Sequence, residues 1–307
     1  MKKAFVFIFL VVTFFSCNDG DIIITSFEFD DVDLQLCNGA LENESVFFKI
    51  NPSNNEAISF DFISSQYNAT TVLEEPIIID LSEGTSSLIY RQFNTSITND
   101  YYCSSIPSSE IVVIEELKAI SGIAEIRVII ATEDDEDNIP AEEEDINGNG
   151  NLDDDDTDGD GIPNYKDQDD DDDNVLTSVE LENGIAGNDD PRDTDGDGTP
   201  DYLDTDDDGD GVPTINEDID GDGSPRNDNT DASEDDDTFN YLDPDTTERN
   251  DNVSPDPENT EVLTTFRTII DISNIIFDGN NENFENDNFS FGFRDVNSRR
   301  NLDKTPN

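Results

Sequence analysis

The sequence predicts an all-β protein, an antiparallel β-sandwich with an inserted, extended array of loops that lacks regular secondary structure. Three observations lead to this prediction. Residues 22–132 contain short apolar runs separated by turn residues, and a similar pattern returns at 262–293. Between them lies a strongly acidic segment, in a chain with 77 acidic residues, 15 basic residues and a formal net charge of −62. Such charge asymmetry indicates a change of architecture along the chain.

The composition also excludes some function classes. Nucleic-acid binding depends on basic patches that neutralise phosphates, and this chain has few basic residues. It has no His, so a Ser-His or Cys-His catalytic pair cannot form. Paired carboxylates suffice for glycoside hydrolysis, but no such pair stands out in the β-rich part. We therefore predict that the protein is not an enzyme.

The N-terminus reads as an export signal. Lys2 and Lys3 precede an apolar run at 4–15, which is too short to span a bilayer comfortably, and Ser16 and Cys17 follow. This order resembles a bacterial lipoprotein signal, which implies a signal peptide at 1–16 and lipidation of Cys17. The alternative is an ordinary signal peptide with an incidental cysteine. The following "CNDGD" resembles the surface-export signal of Bacteroidetes lipoproteins and implies an anchor in the outer membrane, at the cell surface.

The β-rich segment 22–132 is expected to form most of the sandwich. In "ISFDFIS", Phe60 and Phe62 fall on one face of a strand. The exported location favours a disulfide between Cys37 and Cys103, with two free thiols as the alternative. Phe93, Tyr101 and Tyr102 are candidates either for exposed sugar-binding aromatics or for core packing.

The strand-like segment 262–293 is expected to complete the N-terminal sandwich, because two or three strands alone are marginally stable. A separate hairpin or a disordered tail are the alternatives. The remaining segments are predicted as an acidic linker at 133–144, a loop array at 145–243, a second linker at 244–261 and a frayed tail at 294–307.

The acidic segment fits the spacing of a calcium-binding loop. Such a loop places oxygen ligands at positions 1, 3, 5, 7, 9 and 12, with a turn-forming Gly at position 6. In "DTDGDGTPDYLD", Asp193 is position 1, Gly198 is position 6 and Asp204 is position 12. The same register recurs along the segment. The side-chain ligands that it predicts are Asp145, Asn147, Asn149, Asp153 and Asp156; Asp156, Asp158, Asp160, Asn164 and Asp167; Asp169, Asp171, Asp173, Thr177 and Glu180; Asp193, Asp195, Asp197, Asp201 and Asp204; Asp206, Asp208, Asp210, Thr214 and Glu217; and, in a partial loop, Asp218, Asp220 and Asp222.

This series resembles the thrombospondin type 3 repeat, which implies a calcium-bound array with multiple calcium ions held by these residues. Tyr165, Tyr202 and Tyr241 recur at steps of 37 and 39 residues and indicate a linear repeat. The segment departs from the thrombospondin type 3 family in one respect, because it contains no cysteines. The ions would then be the only cross-links within the array. Disorder is the alternative for any acidic run, but it does not explain the placement of the glycines.

These observations favour a calcium-binding, membrane-anchored surface lipoprotein that acts as a rigid spacer or adhesion-type structural module. Adhesion is implied by the family resemblance. The alternative is a glycan- or protein-binding component of a surface uptake system. Expected partners are the membrane, through the lipid anchor, and a protein or glycan ligand at the cell surface; nucleic acid is not expected.

Overall fold

A computed structural model describes residues 29, 31–104, 106, 108–182, 191–230, 238–255, 260–278 and 283–302, and the side chains of 182 and 283–288 are left out. The predicted signal peptide and Cys17 lie outside these residues. Among the described helices, none has the length and apolar character needed to cross a bilayer.

Eight strands account for most of the regular structure. They are β1 (Gln35–Asn38), β2 (Glu44–Asn51), β3 (Glu56–Ile63), β4 (Ile77–Asp80), β5 (Ser86–Phe93), β6 (Val113–Asp134), β7 (Thr260–Asp278) and β8 (Asn283–Leu302). The short helices are α1 (Asp100–Cys103) and α2 (Thr177–Glu182). Short 3-10 turns lie at Ala141–Glu143, Leu152–Asp154, Asn164–Lys166, Asp201–Leu203, Thr214–Glu217, Pro225–Asn227 and Asn240–Leu242. The predicted all-β class is confirmed.

The strands form one antiparallel sheet in the order β1-β2-β3-β5-β6-β7-β8, with β4 paired to a further stretch of β6. A sandwich of two separate sheets was expected, and the difference has its origin in β6. This strand is 22 residues long and pairs with β5 near its start and with β4 farther along. Register shifts around Ser121 mark bulges, which bend a strand. Gly122 lies there with φ +147°, where a Cβ would approach the Leu81 side chain to 2.9 Å.

The curled sheet encloses one main core. Phe60 on β3 contacts Phe291 on β8 edge-to-face, with ring centroids 6.1 Å apart, although three strands separate them in the sheet. Both rings are fully buried. Buried residues of β7, such as Ile270 and Phe277, belong to the same cluster. Strands β3 and β8 therefore face each other across the core, which buries apolar area without a second sheet.

The chain leaves the sheet and returns to it at neighbouring points. β6 ends at Asp134, which lies opposite Leu263 of β7. β7 pairs with β6 along its length, and β8 pairs with β7, so 260–302 extends the sheet begun by the N-terminal strands. The predicted frayed tail is part of this strand as far as Leu302. Its basic residues explain the order, because Arg299 pairs with Glu261, 3.2 Å away, on the neighbouring strand.

Cys37, Cys103 and the three candidate aromatics lie around the short helix α1. The structure joins Cys37 in β1 to Cys103 in α1 by a disulfide, with Cα atoms 5.3 Å apart. Phe93 is buried and contacts Tyr101 edge-to-face at 4.9 Å. Tyr102 stacks on Phe48 at 4.6 Å. These aromatics pack the sheet edge and do not form an exposed sugar-binding face.

We expect Phe60→Ala to destabilise the sheet by about 3 to 5 kcal/mol, because it leaves a cavity between β3 and β8. Chemical denaturation of the intact chain in the presence of calcium chloride measures this loss. Ile114→Ala is the control, because Ile114 is exposed and its truncation should change stability by less than about 0.5 kcal/mol. Equal effects of the two variants would contradict the core described above.

Candidate metal centre

Six loops of the acidic segment fold in the register that the sequence predicts. We name them loop A (145–156), B (156–167), C (169–180), D (193–204), E (206–217) and F (218–229), and number the positions in each from 1 to 12. In all six, the backbone N–H of position 6 donates to the carboxylate at position 1, at 2.7–3.2 Å. Position 6 has a positive φ, for example +102° at Gly198 and +73° at Asn174, which Gly and Asn adopt most readily.

In loop E, the carboxylates at positions 3 and 5 each use one oxygen for the backbone and leave the other for the loop centre. In loop E, Asp208 accepts the N–H of Asp210 at 3.1 Å, and Asp210 accepts the N–H of Val212 at 2.7 Å. The second oxygen, Oδ2, of each is buried and accepts no hydrogen bond. Val212 at position 7 is itself buried, as are Val175 and Ile162 in loops C and B. Position 7 therefore contributes a buried apolar side chain in these three loops.

Position 9 closes the loop through hydrogen bonds, where a metal ligand was expected. Thr214 donates its backbone N–H to the carbonyl of Thr205, at 2.9 Å, and its Oγ1 accepts the N–H of Asp207, at 3.2 Å. Thr177, Asn164 and Asp201 make the same pair of bonds in loops C, B and D. We call this arrangement the position-9 clamp. In loop A, the predicted ligand Asp153 is exposed and bonds Tyr165 and Lys166.

Position 12 is Glu in loops C and E, Asp in loops A, B and D, and Asn in loop F. Glu180 and Glu217 close loops C and E, are almost fully buried, and have both carboxylate oxygens without a hydrogen-bond partner. Where Asp closes a loop, its carboxylate also holds the next segment: Asp156 accepts N–H groups of loop B, and Asp204 accepts the N–H of Asp206. A Glu at this position is longer and can reach the loop centre with both oxygens.

One fully buried cluster joins two loops. Asp173, Glu180 and Asp207 each offer a carboxylate oxygen, and these atoms lie within 4.8 Å of one another. Asp207 is position 2 of loop E and reaches back to loop C, which the register did not predict. A sequence signal exists, because position 2 is Asp in loops C and E only, where Asp170 and Asp207 stand.

The other loops are more open. Asp193, Asp195 and Asp197 of loop D also place carboxylate oxygens within 4.8 Å of one another but are exposed. Asp156, Asp158 and Asp160 of loop B form an intermediate case. In loop F, Asp218 is buried while Asp220 and Asp222 are exposed.

Asp169, Asp171 and Asp173 of loop C are all buried and form another close group.

Burial and like charges dominate the electrostatics. Burial, followed by the charges of Asp173, Asp171 and Asp207, raises the pKa of Glu180 far above its usual range. Burial and neighbouring aspartates raise the pKa of Glu217 to about 9. Arg192 pairs with Asp201, and its Nη2 lies 4.0 Å from Asp207. One guanidinium at this distance does not balance the cluster, so the buried carboxylates favour protonation or a divalent cation.

The donor set fits a hard divalent cation. The buried, unpartnered atoms are carboxylate oxygens, the ligands that calcium and magnesium prefer. The chain has no His, and its two described cysteines form a disulfide, so the nitrogen and thiolate ligands typical of zinc are lacking there.

Residues 244–255 line the array, although a free linker was expected there. Asn250 donates its backbone N–H to the carbonyl of Asn216, at 2.7 Å, and the Asn216 side chain donates to the carbonyl of Asn250, at 3.1 Å. Closer to the sheet, the Asn174 side chain donates to the carbonyl of Ser254, at 3.3 Å. We call this segment the return strand. Because the return strand runs back along the loops, two segments of the chain lie side by side in the array.

Removing the clamp should weaken the array without removing an ion. Thr214→Val keeps the shape of the side chain but leaves the N–H of Asp207 without its acceptor, which costs about 1 to 3 kcal/mol when buried. With calcium chloride added, we expect lower stability in chemical denaturation and the same calorimetric ion number as for the unsubstituted chain. A drop of one ion would show that Thr214 is a ligand instead.

The metal-free array should be more compact at acidic pH. The pKa of Glu217 and that of Asp207 are each raised to about 9, so their contribution to stability is fully present below about pH 4 and is lost as pH rises through 9. With chelator present, we expect greater protease resistance at pH 5 than at pH 8. Glu217→Gln should weaken this dependence, whereas the exposed control Glu248→Gln should not. Equal pH dependence in both variants would contradict this electrostatic account.

Comparison with protein-family models gives a match to part of the chain. A family model described as BamM C-terminal, a domain related to outer-membrane assembly, matches residues 134–189. The matched segment runs from the end of β6 through loops A, B and C. No curated protein and no solved structure matches the chain. The match indicates an outer-membrane-related location.

Proposed function

We propose that the protein is a calcium-binding structural module of the bacterial cell surface. In this proposal, calcium ions hold the loop array in a fixed shape, and the curled sheet provides its rigid base. The array acts as a spacer or adhesion-type module, and lipid on Cys17 anchors the chain to the outer membrane. The proposal assigns the protein no catalytic activity.

The observation that carries the proposal is the cluster of Asp173, Glu180 and Asp207. These three carboxylates are almost fully buried, and their oxygens lie within 4.8 Å of one another. Buried charges of one sign are strongly destabilising unless they are paired or coordinate a metal ion. A divalent cation among them reverses the sign of the interaction, so the cluster that opposes folding without metal stabilises the fold when an ion is bound.

Calcium is favoured over magnesium by the number and kind of oxygen atoms. Calcium takes six to eight oxygen ligands in a flexible geometry, whereas magnesium demands a near-ideal octahedron and retains its waters. Loop C supplies Asp169, Asp171, Asp173 and Glu180 in the spacing of a twelve-residue calcium loop. Extracellular calcium modules bind at roughly 10⁻⁴ to 10⁻³ M, which suits a protein outside the cell.

The spacer role is supported by the return strand. The array is connected along its length by pairs such as Asn216 and Asn250 and is held at its base by the sheet. The 17 residue steps from Asp243 to Thr260 place Asp243 at most about 56 Å from the start of β7, at 3.3 Å per residue. Bound ions would make this length rigid.

A location at the outer membrane is supported by the N-terminal signal and by the family match to 134–189. Anchoring through lipid at Cys17 and display on the outer face are part of the proposal. Mass spectrometry of the membrane fraction tests the first, and protease accessibility on intact cells tests the second. The glycan-binding alternative loses its sequence cue, because Phe93, Tyr101 and Tyr102 pack the sheet edge.

Calorimetric titration of the intact chain with calcium tests the proposal. We expect about four to seven ions if each well-formed loop binds one. Glu217→Gln should remove about one ion, whereas the exposed return-strand control Glu248→Gln should remove none. Chelator should increase the hydrodynamic radius and expose 145–243 to protease. If chelator changes neither quantity, calcium does not shape the array and the proposed function is wrong.

A further inference from the structure

A second buried carboxylate cluster lies where the chain leaves the sheet, outside the six loops. Asp135, Asp137 and Glu144 follow directly after β6, in the segment expected to be an acidic linker. Each is at most 2% exposed, and their ligand atoms lie within 4.8 Å of one another. Asp135 and Asp137 each have one oxygen without a hydrogen-bond partner, and Glu144 has two.

The segment folds like a loop of the array although its sequence departs from the pattern. Asp135 accepts the N–H of Asp137, at 3.2 Å, and Asp137 accepts the N–H of Ile139, at 2.7 Å. Asn138 follows with φ +92°, as position 6 does elsewhere. In this register Glu144 is position 12. The sequence search missed it because Glu133 and Ala141 stand at positions 1 and 9.

The carboxylate of Glu133, at position 1 of this register, forms ion pairs with basic residues. It pairs with Arg300 of β8 and, at 3.3 Å, with Lys166 of loop B. Arg299 pairs with Glu136 and Glu261. Within the part of the chain that the structure describes, no ion pair reaches Asp135, Asp137 or Glu144.

An independent element supplies a fourth carboxylate. Asp170, position 2 of loop C, is 2% exposed, and neither of its carboxylate oxygens has a hydrogen-bond partner. Burial and then the charges of Glu144, Asp137 and Asp135 raise the pKa of Asp170 to about 10.

Two hydrogen bonds of Gln168 place Asp170, two residues farther along the chain, beside this cluster. The Gln168 side chain donates to the carbonyl of Asp135, at 3.1 Å, and the Gln168 backbone N–H donates to Thr260 Oγ1, at 3.1 Å. The end of β6, loop C and the start of β7 therefore meet at this point. The arrangement repeats the one in which Asp207 of loop E reaches back to Asp173 and Glu180 of loop C.

We propose that Asp135, Asp137, Glu144 and Asp170 form a calcium site that fastens the array to the sheet. An ion here links the end of β6 to loop C, so it fixes the direction in which the array leaves the sheet. This inference rests on the proposed calcium binding but concerns a separate site. It assigns metal ligands to a segment that the repeat pattern leaves out.

Hydrogen exchange of the intact chain, with and without calcium chloride, tests the site. In the unsubstituted chain, we expect calcium to slow exchange at 135–144 and 168–171. Glu144→Gln and Asp170→Asn should each abolish this protection, lower the calorimetric ion number by about one, and retain protection in loops D to F. Glu143→Gln is the control, because Glu143 is exposed and adjacent in sequence.

The two variants lie on different segments, so a folding defect of one does not decide the outcome, and exchange in β7 reports on the sheet in each. If calcium protects loops D to F but never 135–144, or if Glu144→Gln and Asp170→Asn bind as many ions as Glu143→Gln, the fastening site is wrong. If calcium protects no part of 145–229 in the unsubstituted chain, both the fastening site and the proposed function are wrong.

Discussion

Repulsion among buried carboxylates governs the middle third of this protein. The loops bury Asp173, Glu180 and Asp207 together, and the backbone N–H groups around them satisfy only part of their oxygen atoms. A hydrogen bond therefore fixes the direction of the Asp173 carboxylate only, and it does not balance the charge of the cluster. Few apolar side chains are buried in the array to compensate for this repulsion, and those at position 7, such as Val175 and Val212, are small. The buried carboxylates of the array therefore favour either protonation or a counter-charge that the chain does not carry.

The sheet solves a different problem in the same chain. Its apolar residues are numerous enough to form a core, and curling brings β3 against β8 so that one sheet covers its own face. The long strand β6 serves both parts, because it runs through the sheet and delivers the chain to the array at Asp134. The return strand brings the chain back to Thr260, beside the point of departure. The start and end of the array are thus fixed by the sheet.

The sequence register proved informative at positions 1, 3, 5 and 6, where the side chain interacts with its own loop. The hydrogen bonds from position 6 to position 1 follow from local spacing and from the positive φ of Gly or Asn. The register was less informative at position 9, since the same oxygen types suit a metal ligand and a clamp. Thr214 shows the ambiguity, because its hydroxyl accepts the N–H of Asp207. Likewise, Tyr102 and Phe93 could be assigned to packing only once their ring partners were known.

The sequence by itself determined the all-β class, the division into apolar and acidic parts, and the register of the six loops, because each depends on residue type and short spacing. Tertiary structure alone decided that β1 to β8 form one curled sheet, that 244–255 lines the array, and that Asp207 and Asp170 reach other loops. These features join residues far apart in the chain, for example Asp170 with Glu144, and their contacts depend on how the loops stack. Local periodicity carries no information about such stacking.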